Sequence, residues 1–299
     1  MSAPLAFPDL TFRQDYFDDP AGWKAIGDLL KTVFGVDIGP LDALGGHDRS
    51  NMPSAYFDAE GRCVANFAAF SMPLAIDGRR VRAAAWQSGA VLPEFRGRGL
   101  FRELIRITLE RCEQAGFEAI VLYTDKPALY EPYGFVTFRE QSFTGPAPAA
   151  GNAFATARRL SVENPVDLAL LRETLARRTP VSNRIAVCDQ SLMFLLNAYL
   201  LEDVTLSWLE AEQAVIAWRQ PQADRFELLD IVAADIPALD TIIAGLGLAP
   251  KIVTVQFPPD RLGWEGTASA VDGDLVFMMR GPQALMPQAP FRLSPMAEF

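Results

Sequence analysis

Histidine is nearly absent from this chain: among 299 residues only His47 carries an imidazole. No histidine cluster is available to ligate a metal, and a histidine-based catalytic dyad would have to use that one residue. Cysteine is scarce too. Cys63, Cys112 and Cys188 form an odd, scattered set with no Cys-x-x-Cys pair. That argues against a disulfide scaffold or structural zinc and makes the cytosol the expected compartment. Long apolar runs are missing as well. Nothing approaches the length of a membrane span, and the opening MSAPLAFPDL lacks a basic segment leading into an apolar core, so neither insertion nor export is expected. Positive charge is in deficit, 27 Lys and Arg against 37 Asp and Glu, and the net charge of −10 speaks against a general nucleic-acid-binding surface.

Apolar material is plentiful. Hydrophobic residues make up 50% of the chain and charged residues 21%, enough for ordinary globular cores, and the length suits two domains. The stretch around which the rest is organised is AVLPEFRGRGLF, residues 90–101. It reads as a strand ending at Pro93, a basic turn through Arg96, Gly97, Arg98 and Gly99, and a helix from near Gly99. Leu100, Leu104 and Ile107, with Phe101, Ile105 and Cys112, recur at helical spacing, and Arg102, Glu103, Arg106, Glu110 and Arg111 fill the polar face.

A strand, a glycine-containing turn and a helix N-terminus together make an anion site. Free N–H groups point outward there, and the helix dipole adds roughly half a positive charge. Two guanidinium groups, from Arg96 and Arg98, suit a diphosphate. Other readings of the turn are a flexible basic loop, a fragment of a nucleic-acid-binding RG segment, and a dinucleotide fingerprint. The last lacks its third glycine, since Gly97 and Gly99 are followed by Phe101 and Arg102.

Val91-x-Pro93 with Arg96-x-x-Gly99, followed by Tyr130-Glu131-Pro132-Tyr133-Gly134-Phe135, resembles the paired signature of GCN5-related N-acetyltransferases (GNAT). The resemblance implies that Arg96, Gly97, Arg98, Gly99, Leu100 and Phe101 hold the pyrophosphate of acetyl-CoA, mostly through backbone N–H groups. It implies that Gly89, Ala90 and Val91, on a splayed strand, contact the acetyl and pantetheine groups. It also implies that Tyr130 protonates the departing thiolate. A phenol with a pKa near ~10 stays protonated for that task; without the resemblance Tyr130 reads as a packed aromatic. Phe101 departs from the pattern, standing where the family has Gly or Ala, which would crowd the diphosphate unless the ring turns into the core.

The order of elements supports the resemblance over the first half. A strand near residues 10–17, a helix from Asp19-Pro20 to Phe34 and an irregular segment from Gly35 to Pro53 come first. Strands follow at 55–57, 63–73 and 81–91, then the helix ending at Gly116, an apolar strand at 119–123, a short helix near Tyr130 and closing strands from Phe135 to Phe143. The Pro- and Ala-rich run from Gly145 to Gly151 reads as a linker. Two domains are therefore expected, residues 1–145 and 152–299. The second half repeats the order: a strand near 155–162, helices from Asn164-Pro165 and at 190–200, strands at 204–209, 214–218 and 226–232, a helix at 237–243, and strands at 252–257 and 275–279. Ala233-Ala234-Asp235-Ile236-Pro237 replaces the basic turn there, without a glycine to admit phosphate and with a carboxylate to repel it. The fold class expected is α/β with a mixed sheet, as two tandem GNAT-like units, the second degenerate for CoA and structural, or an oligomer contact.

The implied activity is acetyl transfer from acetyl-CoA to a primary amine on a small molecule or peptide, by direct attack and without a metal. The acidic net charge is compatible with a cationic acceptor. The base is the weakest part of the signature: His47 sits in a Gly- and Asp-rich loop, Glu94 precedes the turn, and an ordered water is a third route. The tandem layout also resembles the Eis-type branch, whose C-terminal carboxylate enters the active site, so the carboxylate of Phe299 is a further candidate against the plainer reading of a disordered tail. Nucleic acid and membrane are not expected as partners, and a homo-oligomer is compatible with the chain. The alternative from another class is a non-catalytic CoA-binding or protein-interaction module on the same fold.

Overall fold

The computed structural model describes residues 4–149 and 157–299. Residues 150 and 151 of the expected linker, and 155 and 156 of the strand expected after it, lie outside the described residues. The chain opens with β1 (Thr11–Gln14) and α1 (Pro20–Phe34). Asp19 caps α1 by accepting the Ala21 N–H, and Pro20 occupies the first turn, where its missing donor costs nothing. Then come β2 (Met52–Phe57), β3 (Cys63–Ser71), β4 (Leu74–Ile76), β5 (Arg79–Val81), β6 (Ala83–Val91), α2 (Leu100–Gln114) and β7 (Ala119–Thr124). β8 (Val136–Phe138), β9 (Gln141–Pro146), β10 (Arg158–Leu160), α3 (Pro165–Ala176), β11 (Ile185–Val187) and α4 (Ser191–Leu200) follow. The chain continues through β12 (Thr205–Leu209), β13 (Ala214–Gln222), β14 (Arg225–Val232), α5 (Leu239–Leu246), β15 (Ile252–Val255), β16 (Thr267–Ala270) and β17 (Val276–Arg280). No described helix is long and apolar enough to cross a membrane.

The structure divides into two compact units, Met1–Ser71 with Arg82–Leu122, and Met72–Val81 with Tyr123–Phe299. In the first, β1, β2, β3 and β6 pair antiparallel in that order, and β6 then pairs in parallel with β7 from Ala83↔Ala119 to Ala85↔Val121. β3 is buried along nearly its whole length, as a strand covered on both faces must be. The buried stripes of α1 (Ile26, Leu29, Leu30) and α2 (Leu100, Leu104, Ile105, Ile107, Cys112) fall on the periodic apolar positions of the sequence.

The second unit carries a seven-stranded sheet in the order β10-β12-β13-β14-β15-β9-β16. Among its described strands β14 and β15 pair in parallel, with α5 between them in sequence, which repeats the β6, α2, β7 arrangement. The fold is therefore mixed α/β with two large mixed sheets and an internal repeat. Two smaller pairings complete the second unit: β11-β4-β5 as a three-stranded sheet, and β17 antiparallel to β8.

These pairings redraw the linker expected at Gly145–Gly151. Gly145 and Pro146 belong to β9 and pair with Val253 and Ile252 of β15. Trp264 lies over them, its indole N–H donating to the Pro146 carbonyl at 2.9 Å. Backbone groups of this stretch are satisfied by strands from far along the chain, a long-range effect that a Gly/Pro-rich composition does not report. The tail differs as well. Gln141 N–H donates to the Phe291 carbonyl at 2.7 Å, and Leu293 N–H donates to Glu140 Oε1 at 2.8 Å. Phe291, Leu293, Met296 and Ala297 are buried, so the proline-rich end is a packed strap.

Candidate active site

The first unit builds the turn. A short 3₁₀ segment, Pro93–Phe95, follows β6, and Arg96 is extended at φ −68°, ψ 161°. Gly97 and Gly99 then adopt φ +77° and +84°, a region costly for any residue with a Cβ. A Cβ placed on either would meet nothing within 4 Å, so the glycines answer a backbone requirement in open surroundings. Gly99 caps α2 without a side-chain hydrogen bond, so the cap residue itself puts no side chain over the first turn.

The two arginines of the turn are held differently. Arg96 Nε donates to the Val91 carbonyl at 3.2 Å, tying the turn to the end of β6. Arg98 donates to both carboxylate oxygens of Asp9, at 2.9 and 2.5 Å, and its guanidinium lies over the rings of Phe7 and Phe95. That hydrogen-bonded guanidinium holds the Asp9 carboxyl below the usual carboxylate range. Phe101 turns inward: its ring packs edge-on against Phe67 with centroids 5.5 Å apart.

Above the turn, β6 is irregular. Asn66 pairs with Ala90 and Ala68 with Gln87, so Phe67 alone faces both Ser88 and Gly89. This is a β-bulge, which re-aims the strand it interrupts. Ser88 sits at φ +58°. A Cβ on Gly89 would lie 2.7 Å from Phe67 Cε2 and 3.1 Å from Phe101 Cε2, so the glycine is set by close ring contact. Asn66 is fully buried and donates from Nδ2 to the Ser88 carbonyl at 2.9 Å, while its Oδ1 accepts the Tyr16 hydroxyl at 2.7 Å.

The second unit holds Tyr130. It stands between two 3₁₀ turns, Pro127–Leu129 and Glu131–Tyr133, in place of the single short helix expected. Pro127 and Pro132 interrupt helix propagation, and Gly134 ends the segment at φ +84°. Burial pushes the Tyr130 phenol up to about 12, the nearby Asp125 charge adds to that, and a hydrogen bond with the Thr124 side chain opposes it. The ring packs edge-on against Phe135. A phenol in these surroundings is protonated throughout the neutral range. Phe299 is half-buried and its ring packs on Tyr123 at 5.4 Å between centroids. The Glu298 carbonyl before it accepts the Asn197 side-chain amide at 2.8 Å.

The base candidates of the first unit have local partners. His47 is wedged between Phe17 and Trp23, with Nε2 3.0 Å from Asp18 Oδ1 and Nδ1 3.1 Å from the Asp48 carbonyl. It anchors its loop. Glu94 is exposed and lies 3.7 Å from Arg62. Asn66, Tyr16 and Ser88 carried no signal in the sequence: a buried Asn and Tyr within strand-like stretches read as ordinary packing.

In the repeat unit the equivalent region is closed. The register shift between Ala217 and Trp218 puts the irregularity of β14 near Leu229. There Arg178, 3% exposed, donates to Asp230 Oδ1 at 2.8 Å and to the Ile231 carbonyl. α5 starts from Ala238, in extended conformation, with neither glycine nor arginine before it.

The first unit thus brings together a bulged strand, a parallel neighbour and a basic glycine turn at a helix N-terminus. Residues 20–138 match the family model described as an acetyltransferase (GNAT) domain. Among solved structures, a GCN5-related N-acetyltransferase from Kribbella flavida is similar over 92% of this chain and 72% of its own, with 18% identity and a TM-score of 0.58. Eis1 from Mycobacterium abscessus is similar over 91% of this chain and 73% of its own, with 15% identity and a TM-score of 0.58. A probable N-acyltransferase from Enterococcus faecalis covers 91% of this chain and 72% of its own at 14% identity and a TM-score of 0.58. At these identities the likeness is one of fold, and it extends through both halves. No curated protein matches the chain by sequence.

Proposed function

We propose that this protein transfers an acetyl group from acetyl-CoA to a primary amine by direct attack, with Tyr130 as the general acid. The observation that carries this reading is the turn, where two left-handed glycines open onto the uncapped N-terminus of α2. Such a cradle suits a diphosphate, because backbone N–H groups and the helix dipole stabilise anionic oxygens without a bulky side chain between. Gly97, Gly99, Leu100 and Phe101 would offer N–H groups, and Arg96 would support the turn from below. With Phe101 packed on Phe67, the crowding that favoured a non-catalytic module loses its basis.

Binding the thioester and the amine together can supply roughly 7–11 kcal/mol of the barrier through proximity and orientation. Gly89, Ala90 and Val91 are the backbone that would orient the acetyl group. The attacking amine nitrogen gives up one proton to solvent as the amide forms, and the departing thiolate takes one from the half-buried Tyr130 phenol, which at about 12 holds it until then and regains it from solvent. A small-molecule or peptide amine is the proposed acceptor class.

The test is thiol release from acetyl-CoA in the presence of a panel of primary amines. Wild-type protein should release CoA with at least one of them, and Tyr130→Phe should lower kcat about 10²-fold or more while leaving the Kd for acetyl-CoA unchanged. An unaltered kcat in Tyr130→Phe rejects the acid role. Failure of the wild type to bind acetyl-CoA rejects the reading as a whole.

A further inference from the structure

Ser88 is a non-glycine residue in the left-handed region, at φ +58°, inside a strand. L-residues pay roughly 1–2 kcal/mol for that conformation, and such outliers persist only where the surroundings over-determine them. Three neighbours do so here. Phe67 alone faces Ser88 and Gly89 across the ladder. The Phe67 ring, packed between Trp86 and Phe101, fills the space a Cβ at Gly89 would need. Asn66, fully buried, takes the Ser88 carbonyl that the bulge removes from the regular ladder.

The orientation of the Asn66 amide follows from its partners. A carbonyl only accepts, so the side chain must turn Nδ2 toward Ser88 and Oδ1 toward Tyr16, whose hydroxyl must then donate. Tyr16 is able to keep that role. It is buried, and burial raises its phenol well above the ordinary value, so it stays a donor. The result is a directed chain from Tyr16, just past β1, through Asn66 on β3, to the Ser88 carbonyl on β6. The strand resumes regular pairing immediately beyond, with Asn66 opposite Ala90 and Leu92 N–H donating to Val64 at 2.9 Å.

We propose that Asn66, oriented by Tyr16, is a positioning residue for acyl transfer, fixing the Ser88–Gly89 bulge and with it the presentation of the Gly89–Val91 backbone. This rests on the reading above that Gly89, Ala90 and Val91 orient the acetyl group. Asn66 does not belong to the turn, so its loss should act on the chemical step while leaving the diphosphate cradle intact. A merely structural Asn66 would change stability alone.

The variants that separate these outcomes are Asn66→Leu, which keeps the volume and removes the amide, and Tyr16→Phe, which leaves Asn66 able to donate to Ser88. Leu171→Ala, in the core of the second unit, serves as a destabilised control. Each is measured for acetyl-CoA Kd by calorimetry, for kcat by thiol release with the best amine of the panel, and for Tm. Expected are a fall in kcat of about 10²-fold for Asn66→Leu, as for a small misplacement of reacting groups, a smaller fall for Tyr16→Phe, and Kd near wild type in both. Leu171→Ala should lose Tm with kcat kept. Unchanged kcat in both Asn66→Leu and Tyr16→Phe, at whatever Tm, overturns the positioning role. If Asn66→Leu does not fold, an unchanged kcat in Tyr16→Phe overturns it alone. Wild-type protein that neither binds acetyl-CoA nor releases thiol overturns the site reading itself, a result visible before any variant is made.

Discussion

Three glycines shape the strand and turn of the first unit, two by left-handed backbone and one by the closeness of aromatic rings. Gly97 and Gly99 were legible because a turn into a helix N-terminus needs left-handed backbone, and both adopt it. Gly89 was legible as a strand glycine, but its cause was not: two aromatic rings from elsewhere in the chain close the space beside it. Phe101, a departure from the family pattern, is one of those rings. Gly89→Ala is therefore expected to destabilise by roughly 1–3 kcal/mol, as overpacking in a tight core does, because Phe67 is 1% exposed and held between Trp86 and Phe101. Urea unfolding checks it. A midpoint equal to wild type would mean that the rings move aside freely and that Gly89 is there for another reason. Asn66 and Tyr16 were illegible, since a buried amide shows its role only through the carbonyl it meets.

Elements with one apolar face are legible in the sequence. α1, α2, α3, β6, β7 and β14 all lie where periodicity and capping residues put them. What periodicity missed were short strands such as β4, β11 and β16, each three or four residues long and stabilised by a partner distant in sequence. The strap after β17 was missed for the same reason. Its anchor is Glu140, which accepts the Tyr123 hydroxyl and the Leu293 N–H on one oxygen, both at 2.8 Å. Burial pushes the Glu140 carboxyl up to about 7; these two hydrogen bonds and the charge of Arg292 favour the anion, and Glu298 opposes it. The folded chain thus keeps a proton that the unfolded chain releases near the ordinary value of 4.5. Stability from this group is complete below that value and is lost as pH rises through about 7, a change of up to about 3 kcal/mol. Glu140→Gln keeps the accepting oxygen and removes the titration. It should be more stable than wild type near pH 8 and show a flatter profile down to pH 5 in thermal melts. A wild-type profile that rises with pH over this interval, or an identical slope in Glu140→Gln, would contradict the assignment.

For the whole molecule, composition pointed to two domains with a break at 145–151, and the repeat order of elements is real. The break is not where the backbone separates. β4 from the first half pairs with β11, β8 pairs with β17, and β9 lies between β15 and β16. Each of these strands depends on hydrogen-bond partners more than a hundred residues away, and no local pattern encodes such pairing. A chain cut after residue 145 would leave β4 with β5 alone and β8 and β9 without their neighbours, as exposed edges with apolar faces. Residues 1–145 expressed alone should therefore aggregate or give a broad, poorly dispersed amide spectrum without a cooperative melt. Co-expressed with residues 146–299, the same fragment should co-purify as a folded complex, because the partner supplies β11, β15, β16 and β17. A soluble 1–145 fragment with a dispersed spectrum and a sharp melting transition would show that these strands are dispensable. The repeat half would then be an appended domain, where the pairing described here makes it the source of strands the other half lacks.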